Sequence, residues 1–248
     1  MPDGVRSECR ADTLTRTGWW MVDGGWWFVT SSHDGYPPTT NQRMRVIAVL
    51  GVADHNGWAV CVTVAASRGI PVVVDRRRID LIESGVPSQP YHHETVGMPL
   101  PDAETLVVRV RDSVMRTTVA RLTELRDELQ PQYSIAATTL RNPPLTYVPV
   151  TVAEAHASYS VMCRADGMMY HNAVCTAARG LGIAVELDDR GEAIVRAAGH
   201  FRVGVEEVEH FLETTGERLG PPWRKEHRLA AAAALTALAD RARVSLPD

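Results

Sequence analysis

The chain has 248 residues, of which 45% are hydrophobic and 23% are charged, a composition that predicts a packed globular protein and excludes a disordered or fibrous one. The formal net charge is −4, so the molecule as a whole repels a polyanion and nucleic-acid binding would require a local basic patch. No apolar run reaches the length of a membrane span, so the sequence predicts no membrane-spanning segment.

Cellular location is predicted from the N-terminus and the cysteines. The apolar residues near the N-terminus are too interrupted for a secretory signal, so we expect a cytoplasmic protein without a membrane partner. The cysteines form no CxxC pair and lie beside apolar or small residues, which indicates reduced and mostly buried thiols. They are Cys9, Cys61, Cys163 and Cys175.

The first 43 residues differ from the rest of the chain. Four of the six tryptophans lie here, and turn-forming residues follow them at positions 31–38. We expect residues 1–43 to form a poorly ordered N-terminal extension and residues 44–248 to form a single α/β domain. The alternative is an arm that binds a partner through its exposed aromatic side chains.

The predicted domain begins with three strands. Residues 45–52 are almost all apolar and β-branched, and residues 58–66 are predicted to pair with them. Asn56-Gly57 between them is a strong hairpin signal, because both positions of a type I′ turn need a positive φ. Residues 71–82 supply the third strand, so the three strands are predicted to form an antiparallel meander.

Helices and strands alternate after the meander. A helix capped by Asp102 ends before Pro131, and residues 133–140 form a fourth strand. A capping box of Thr151 and Glu154 opens a helix that runs to residue 179. A short strand at 183–187, a helix at 205–217 and a last helix after residue 222 complete the chain. This order predicts a mixed sheet of about five strands flanked by helices.

Asp54 follows the first apolar strand in the segment VLGVADHNGWAV, residues 49–60. This segment resembles the RuvC-type opening of the ribonuclease H-like superfamily. In that opening, an apolar first strand ends in an aspartate and is followed by a glycine turn, an aromatic residue and a small residue on the second strand. The order of elements from residue 44 to about residue 242 resembles that fold too. Some uncharacterised bacterial proteins are similar in the Asp-His-x-Gly-Trp-Ala segment.

This resemblance implies a nuclease or phosphohydrolase that acts on nucleic acid. Enzymes of the superfamily hold two divalent cations with three or four carboxylates and use them to cleave phosphodiesters. Oxygen ligands of this kind suit Mg²⁺ or Mn²⁺. The RuvC-type relatives also imply a homodimer.

The resemblance implies particular site residues. Asp54 would be the first-strand ligand, Glu226 the acid of the closing helix and His227 a proton-transfer group. The end of the fourth strand has no acid, so Asp188 or Asp166 would have to complete the metal site. The structural alternatives are that Asp54 bonds turn amides and that Glu226 is only a helix-capping charge.

Two other groups could bind ligands. Arg76 and Arg78 share one face of the third strand and could bind nucleic-acid phosphates, although a charged edge that discourages strand pairing is the alternative. The loop residues His92, His93 and Glu94 could ligate a transition metal, or could simply be solvated.

Three classes of function fit this sequence. The first is the divalent-metal-dependent nuclease, and the second is a non-catalytic interaction protein on the same fold. The third is an actin-like ATPase, which requires two such domains. The chain is too short for two, and it contains no GxxxxGK[ST] phosphate loop.

Overall fold

The computed structural model describes residues 17–22, 25–30, 45–143, 148–189 and 191–247. The chain divides into two units, Met1–Met44 and Arg45–Asp248. In the first unit, strands β1 (Thr17–Val22) and β2 (Gly25–Thr30) pair in antiparallel fashion. Most of the predicted N-terminal extension lies outside the described residues, so its poor order stays a prediction.

The second unit is built on a five-stranded mixed sheet. Its strands are β3 (Val46–His55), β4 (Trp58–Ser67), β5 (Ile70–Asp80), β6 (Tyr133–Arg141) and β7 (Ala184–Asp188). The strand order is β5-β4-β3-β6-β7, with β3 to β5 antiparallel and with β6 and β7 parallel to β3. The hairpin glycine Gly57 has a φ of 92°. The predicted α/β class, a mixed sheet of about five strands flanked by helices, is confirmed.

Helices cover both faces of this sheet. They are α1 (Leu100–Leu129), α2 (Val152–Ala155), α3 (Tyr159–Gly180), α4 (Ala193–Phe201), α5 (Val205–Leu219) and α6 (Lys225–Ala239), together with a π-helical turn at Pro90–Glu94. One core packs α1 and α3 against the sheet, and a second core packs α4, α5 and α6 against the other face. No helix in the described part of the chain is long and apolar enough to cross a membrane.

Three helix boundaries differ from the prediction. The helix predicted at 151–179 is interrupted, because Ser158 caps a new helix by accepting the amide of Val161. The capping box of Thr151 and Glu154 is present, but it opens only the short α2. The first long helix begins at Leu100 after Pro99, before the predicted cap Asp102. The sequence analysis did not predict α4.

Strand β3 presents alternate residues to the two cores. Val49 and Ala53 pack with α6, whereas Leu50 and Val52 pack with α1 and α3. Between them, a Cβ placed on Gly51 would lie 2.0 Å from the carbonyl oxygen of Ala230. Helix α6 therefore crosses β3 at a separation that only glycine allows.

Candidate functional site

The candidate site lies at the carboxyl edge of the parallel strands. Asp54 is near the end of β3, Arg141 ends β6 and Asp188 ends β7, where it is paired in register with Arg141. Asp54 and Asp188 are both buried. Ligands of open α/β sheets bind outside the carboxyl ends of the strands, so this edge is the natural place for a site.

Asp54 faces two basic side chains. Its Oδ1 lies 3.5 Å from Nε of Arg141, and its Oδ2 lies 3.7 Å from Nδ1 of His171 on α3. This orientation follows from strand alternation, because Asp54 has the parity of Leu50 and Val52 and α3 covers that face. The sequence analysis named neither Arg141 nor His171 as a partner of Asp54.

His171 carries a positive charge at neutral pH. Burial lowers the pKa of its imidazole, but the Asp54 carboxylate and Cys175 raise it more, so that the pKa is about 9. The ring is 4% exposed, and its other nitrogen, Nε2, lies 3.6 Å from Sγ of Cys175. Asp54 is therefore held between a guanidinium and an imidazolium.

A small cavity lies between Arg141, Asp188 and helix α6. Its volume of about 10 Å³ has room for about one water molecule. It is lined by Val52, Thr139, Leu140, Arg141, Asp188, Leu229, Ala230 and Ala233. Within the described residues, Oγ1 of Thr139 and Oδ2 of Asp188 are buried without a hydrogen-bond partner. The contribution of α6 to this cavity is entirely apolar.

Asp188 is held by a basic residue of its own. Its Oδ1 pairs with the guanidinium of Arg196 on α4. Burial raises the pKa of Asp188 and the nearby charge of Asp189 adds to this effect, while Arg196 lowers it. Asp188 therefore lies at the carboxyl edge of the parallel strands, but it faces an arginine there.

Glu226 and His227 are in the first turn of α6, on the face of the sheet opposite to Asp54. His227 is buried, and its Nδ1 accepts a hydrogen bond of 3.2 Å from the amide of Arg224. Burial lowers the pKa of His227, and the charges of Arg76 and Arg224 lower it further. The predicted pairing of Asp54 with Glu226 and His227 is therefore not formed, because α6 covers the other face of β3.

The predicted metal ligands do not come together. In the described ranges, no three His, Cys, Asp or Glu side chains form a group that could hold a metal ion. Asp54, Glu226 and Asp188 thus do not form one such group. The donor set fits Mg²⁺ or Mn²⁺ poorly, because the neighbours of Asp54 and Asp188 are cationic and would repel a divalent cation.

Arg76 and Arg78 share the α6 face of β5, the edge strand, as the sequence indicated. Arg76 donates to the carbonyl oxygens of Gly220 and Pro222 at 2.6 and 2.7 Å, which ties β5 to the loop before α6. Arg78 is 61% exposed, lies 4.5 Å above the ring of Trp58 and pairs weakly with Asp80. Of the two, only Arg78 remains exposed enough to meet a phosphate.

A second buried pair lies at the π-helical turn. Nδ1 of His92 is 2.6 Å from Oδ2 of Asp166, and the amides of Tyr91 and His92 donate to the same carboxylate at 3.0 and 3.3 Å. Burial raises the pKa of Asp166, while these bonds lower it. His92 turns inward, whereas His93 and Glu94 are exposed, so the three loop residues do not point into one site.

Comparisons with known proteins find only distant structural likenesses. No protein-family model and no curated protein matches the chain. Among solved structures, RuvC of Thermus thermophilus is 15% identical, with a TM-score of 0.45, over 77% of this chain and 93% of that one. RuvC of T. thermophilus in complex with a Holliday junction substrate is 13% identical, with a TM-score of 0.44, over 78% and 93%. Likenesses at this level do not bear on function.

Proposed function

We propose that the second unit is a non-catalytic interaction domain on a ribonuclease H-like sheet, and that it is not a divalent-metal-dependent nuclease. The observation that carries this proposal is the pair of cations, Arg141 and His171, at the carboxylate of Asp54. If the domain were a metal-dependent nuclease, the same carboxylate would bind Mg²⁺ or Mn²⁺.

The Asp54 carboxylate can be neutralised either by the charges of Arg141 and His171 or by a divalent metal ion, but not readily by both. Two unit charges 4 Å apart repel by about 4 kcal/mol at an effective dielectric constant near 20, and a divalent cation doubles this cost. Binding a metal at Asp54 would require His171 to lose its proton or both basic side chains to move. The internal cations of the chain therefore take the place that a metal would need.

The closing helix supports the same proposal. Where α6 reaches the cavity at the carboxyl edge, its side chains are those of Leu229, Ala230 and Ala233, and none can ligate a hard cation. The acid expected from this helix, Glu226, lies on the other face of the sheet from Asp54. A two-metal site would thus lack its closing ligand.

A protein partner would contact exposed apolar side chains near the starts of α1, α2 and α3. Val150 is 84% exposed, Tyr159 66%, Val96 58% and Leu100 42%. They lie on the segments that open α1, α2 and α3, which pack together through one small core cluster. That cluster contains Tyr91, Ala103, Val107, Val152, Ala155 and Ala165. Uncharged aliphatic and aromatic residues of this kind are typical of contact surfaces.

The experiment that tests the proposal is metal-binding calorimetry joined to a cleavage assay. The full chain, Asp54→Asn and the exposed control Asp80→Asn are titrated with Mg²⁺ and Mn²⁺ and incubated with branched and single-stranded nucleic acid. We expect no metal-dependent cleavage and no heat that depends on Asp54. Cleavage that Asp54→Asn abolishes and Asp80→Asn preserves would overturn the proposal and restore the nuclease.

Two partner predictions remain open to direct measurement. Nucleic-acid binding without cleavage would be seen as a rise in the fluorescence anisotropy of a labelled oligonucleotide, and Arg78→Ala would weaken it. The homodimer that the resemblance implies would be seen by sedimentation velocity as a concentration-dependent increase in mass.

A further inference from the structure

Strand β5 is an outer strand of the sheet, and part of its backbone points away from β4. Just beyond its end, the amide of Leu81 donates to the carbonyl oxygen of Gly57 at 2.9 Å. Because antiparallel residues alternate between bonded and non-bonded pairs, this bond and the register with β4 decide which residues of β5 face outwards. In the second half of the strand they are Arg76, Arg78 and Asp80. In the described part of the chain, no other strand or loop supplies these three with a backbone partner.

An open groove runs along this edge of the sheet. Its volume is about 250 Å³, and it is lined by Arg77, Arg78, Ile79, Asp80, Arg121, Glu124, Leu125 and Glu128. Consecutive residues of β5 point to opposite faces of the sheet, so a groove that they line together follows the edge of the strand. The three arginines of the lining balance its three acids, although the whole chain carries a charge of −4. A neighbouring strand would therefore find room beside β5 and no excess of either charge.

The arginines of β5 do not protect this edge as free charges would. Charged side chains on an edge strand discourage pairing. However, Arg77 is bonded to two carboxylates of its own chain at 2.6 to 2.9 Å, and Arg76 is bonded to loop carbonyl groups. Arg78 is 61% exposed and lies 3.5 Å from Asp80. The guanidinium of Arg78 and the carboxylate of Asp80 are therefore the charges that a neighbouring strand would meet.

We propose that a second copy of the chain pairs with β5 at this edge, in antiparallel fashion and with the Ile79 residues of the two copies opposite each other. Arg78 of each copy then lies opposite Asp80 of the other. Each of these pairs exchanges two backbone hydrogen bonds and joins opposite charges. The next register in either direction would set Arg78 opposite Arg78 or Asp80 opposite Asp80, and like charges directly opposite are destabilising. The edge is thus complementary to itself, as a two-fold interface requires.

This inference rests on the proposed interaction function and gives it one partner, but it uses a different surface. The proposed protein-binding residues lie near the starts of α1, α2 and α3, whereas the pairing of copies uses β5. A chain that does not pair through β5 can still bind another protein through the first surface, so the two proposals fail separately.

Sedimentation equilibrium of the full chain over a range of concentrations tests the pairing. Arg78→Glu and Asp80→Arg each set like charges opposite one another in both symmetric pairs, so we expect each to weaken self-association by at least about tenfold. The control Arg109→Glu reverses an exposed charge on α1 about 18 Å from Arg121 and should associate like the wild type. A wild-type chain that stays monomeric up to about 1 mM would overturn the proposal.

A mixture of the two variants separates pairing through β5 from damage to the fold. In a mixed pair, the acid introduced at position 78 faces the arginine introduced at position 80, and the unchanged Arg78 faces the unchanged Asp80. We therefore expect the mixture to associate with nearly wild-type affinity, while circular dichroism shows that each variant alone is folded. Self-association that neither variant weakens would mean that another surface joins the copies. A mixture that associates no better than either variant alone would mean that the register is wrong, and either result overturns the proposal.

Discussion

The carbonyl oxygen of Ala230 lies where the side chain of residue 51 would otherwise be, at 2.0 Å from a Cβ placed on Gly51. Both partners in this contact are backbone atoms of packed elements, so neither can move aside cheaply. The contact fixes α6 on one face of β3, and it thereby fixes which side chains Asp54 can meet.

Gly51→Ala should therefore destabilise the second unit strongly. We expect a loss of about 3 kcal/mol in the free energy of unfolding, because the added methyl group must push α6 away from β3. Urea denaturation followed by circular dichroism measures this loss. The matched control is Gly199→Ala in α4, where a Cβ would meet nothing within 4 Å and should cost nothing. Equal stability of the two variants would show that α6 does not lie so close.

The charge of His171 should make stability depend on pH. Its pKa is about 9 in the folded chain, against 6.5 for an ordinary histidine, so folding takes up a proton between these values. The stabilisation is fully present below about pH 6.5 and is lost as the pH rises through about 9. We expect a fall of the order of 2 kcal/mol in the free energy of unfolding.

Urea denaturation at pH 6 and at pH 9.5 measures this fall. His171→Gln removes the titrating group, so its stability should change less between the two pH values than that of the wild type. Arg78→Ala serves as the control, since it removes an exposed charge on the face of the sheet opposite to the Asp54 carboxylate and should keep the wild-type fall. An unchanged fall in His171→Gln would mean that another group titrates.

Substitution of Arg76 should destabilise the fold much more than substitution of Arg78, although the two residues share a face of β5. Arg76→Ala leaves the carbonyl groups of Gly220 and Pro222 without their donor, so we expect a loss of about 2 kcal/mol in the free energy of unfolding. Arg78→Ala should cost less than about 1 kcal/mol, because its pair with Asp80 is exposed. Thermal denaturation of the two variants side by side checks the difference, and a reversed order would show that the Arg76 contacts are not formed.

Local sequence patterns predicted the sheet well. The β-branched run of β3, the Asn56-Gly57 turn and the alternation of later helices and strands are each encoded within a few residues, and the observed sheet agrees with them. Helix interruptions were harder, because the break before Ser158 depends on one capping side chain. Helix α4 was missed because it is short and follows a turn.

The surroundings of Asp54 could be predicted only in part. Its place at the end of the first strand was readable, but its partners Arg141 and His171 come from distant elements that meet only in the folded chain. The spacing of His171 and Cys175, four residues apart, was a usable signal, since such residues share a helix face. Which face of the sheet α6 would cover was not encoded locally, so the sequence could not place Glu226 relative to Asp54.

The alternation of side chains along β3 gives this edge of the domain an unusual sensitivity to insertions and deletions. One residue added or removed between Gly51 and Asp54 would turn the carboxylate towards α6 and direct an apolar neighbour towards His171. Substitutions can therefore alter the charges around Asp54 gradually, whereas a change of length in this strand would exchange the two environments in a single step.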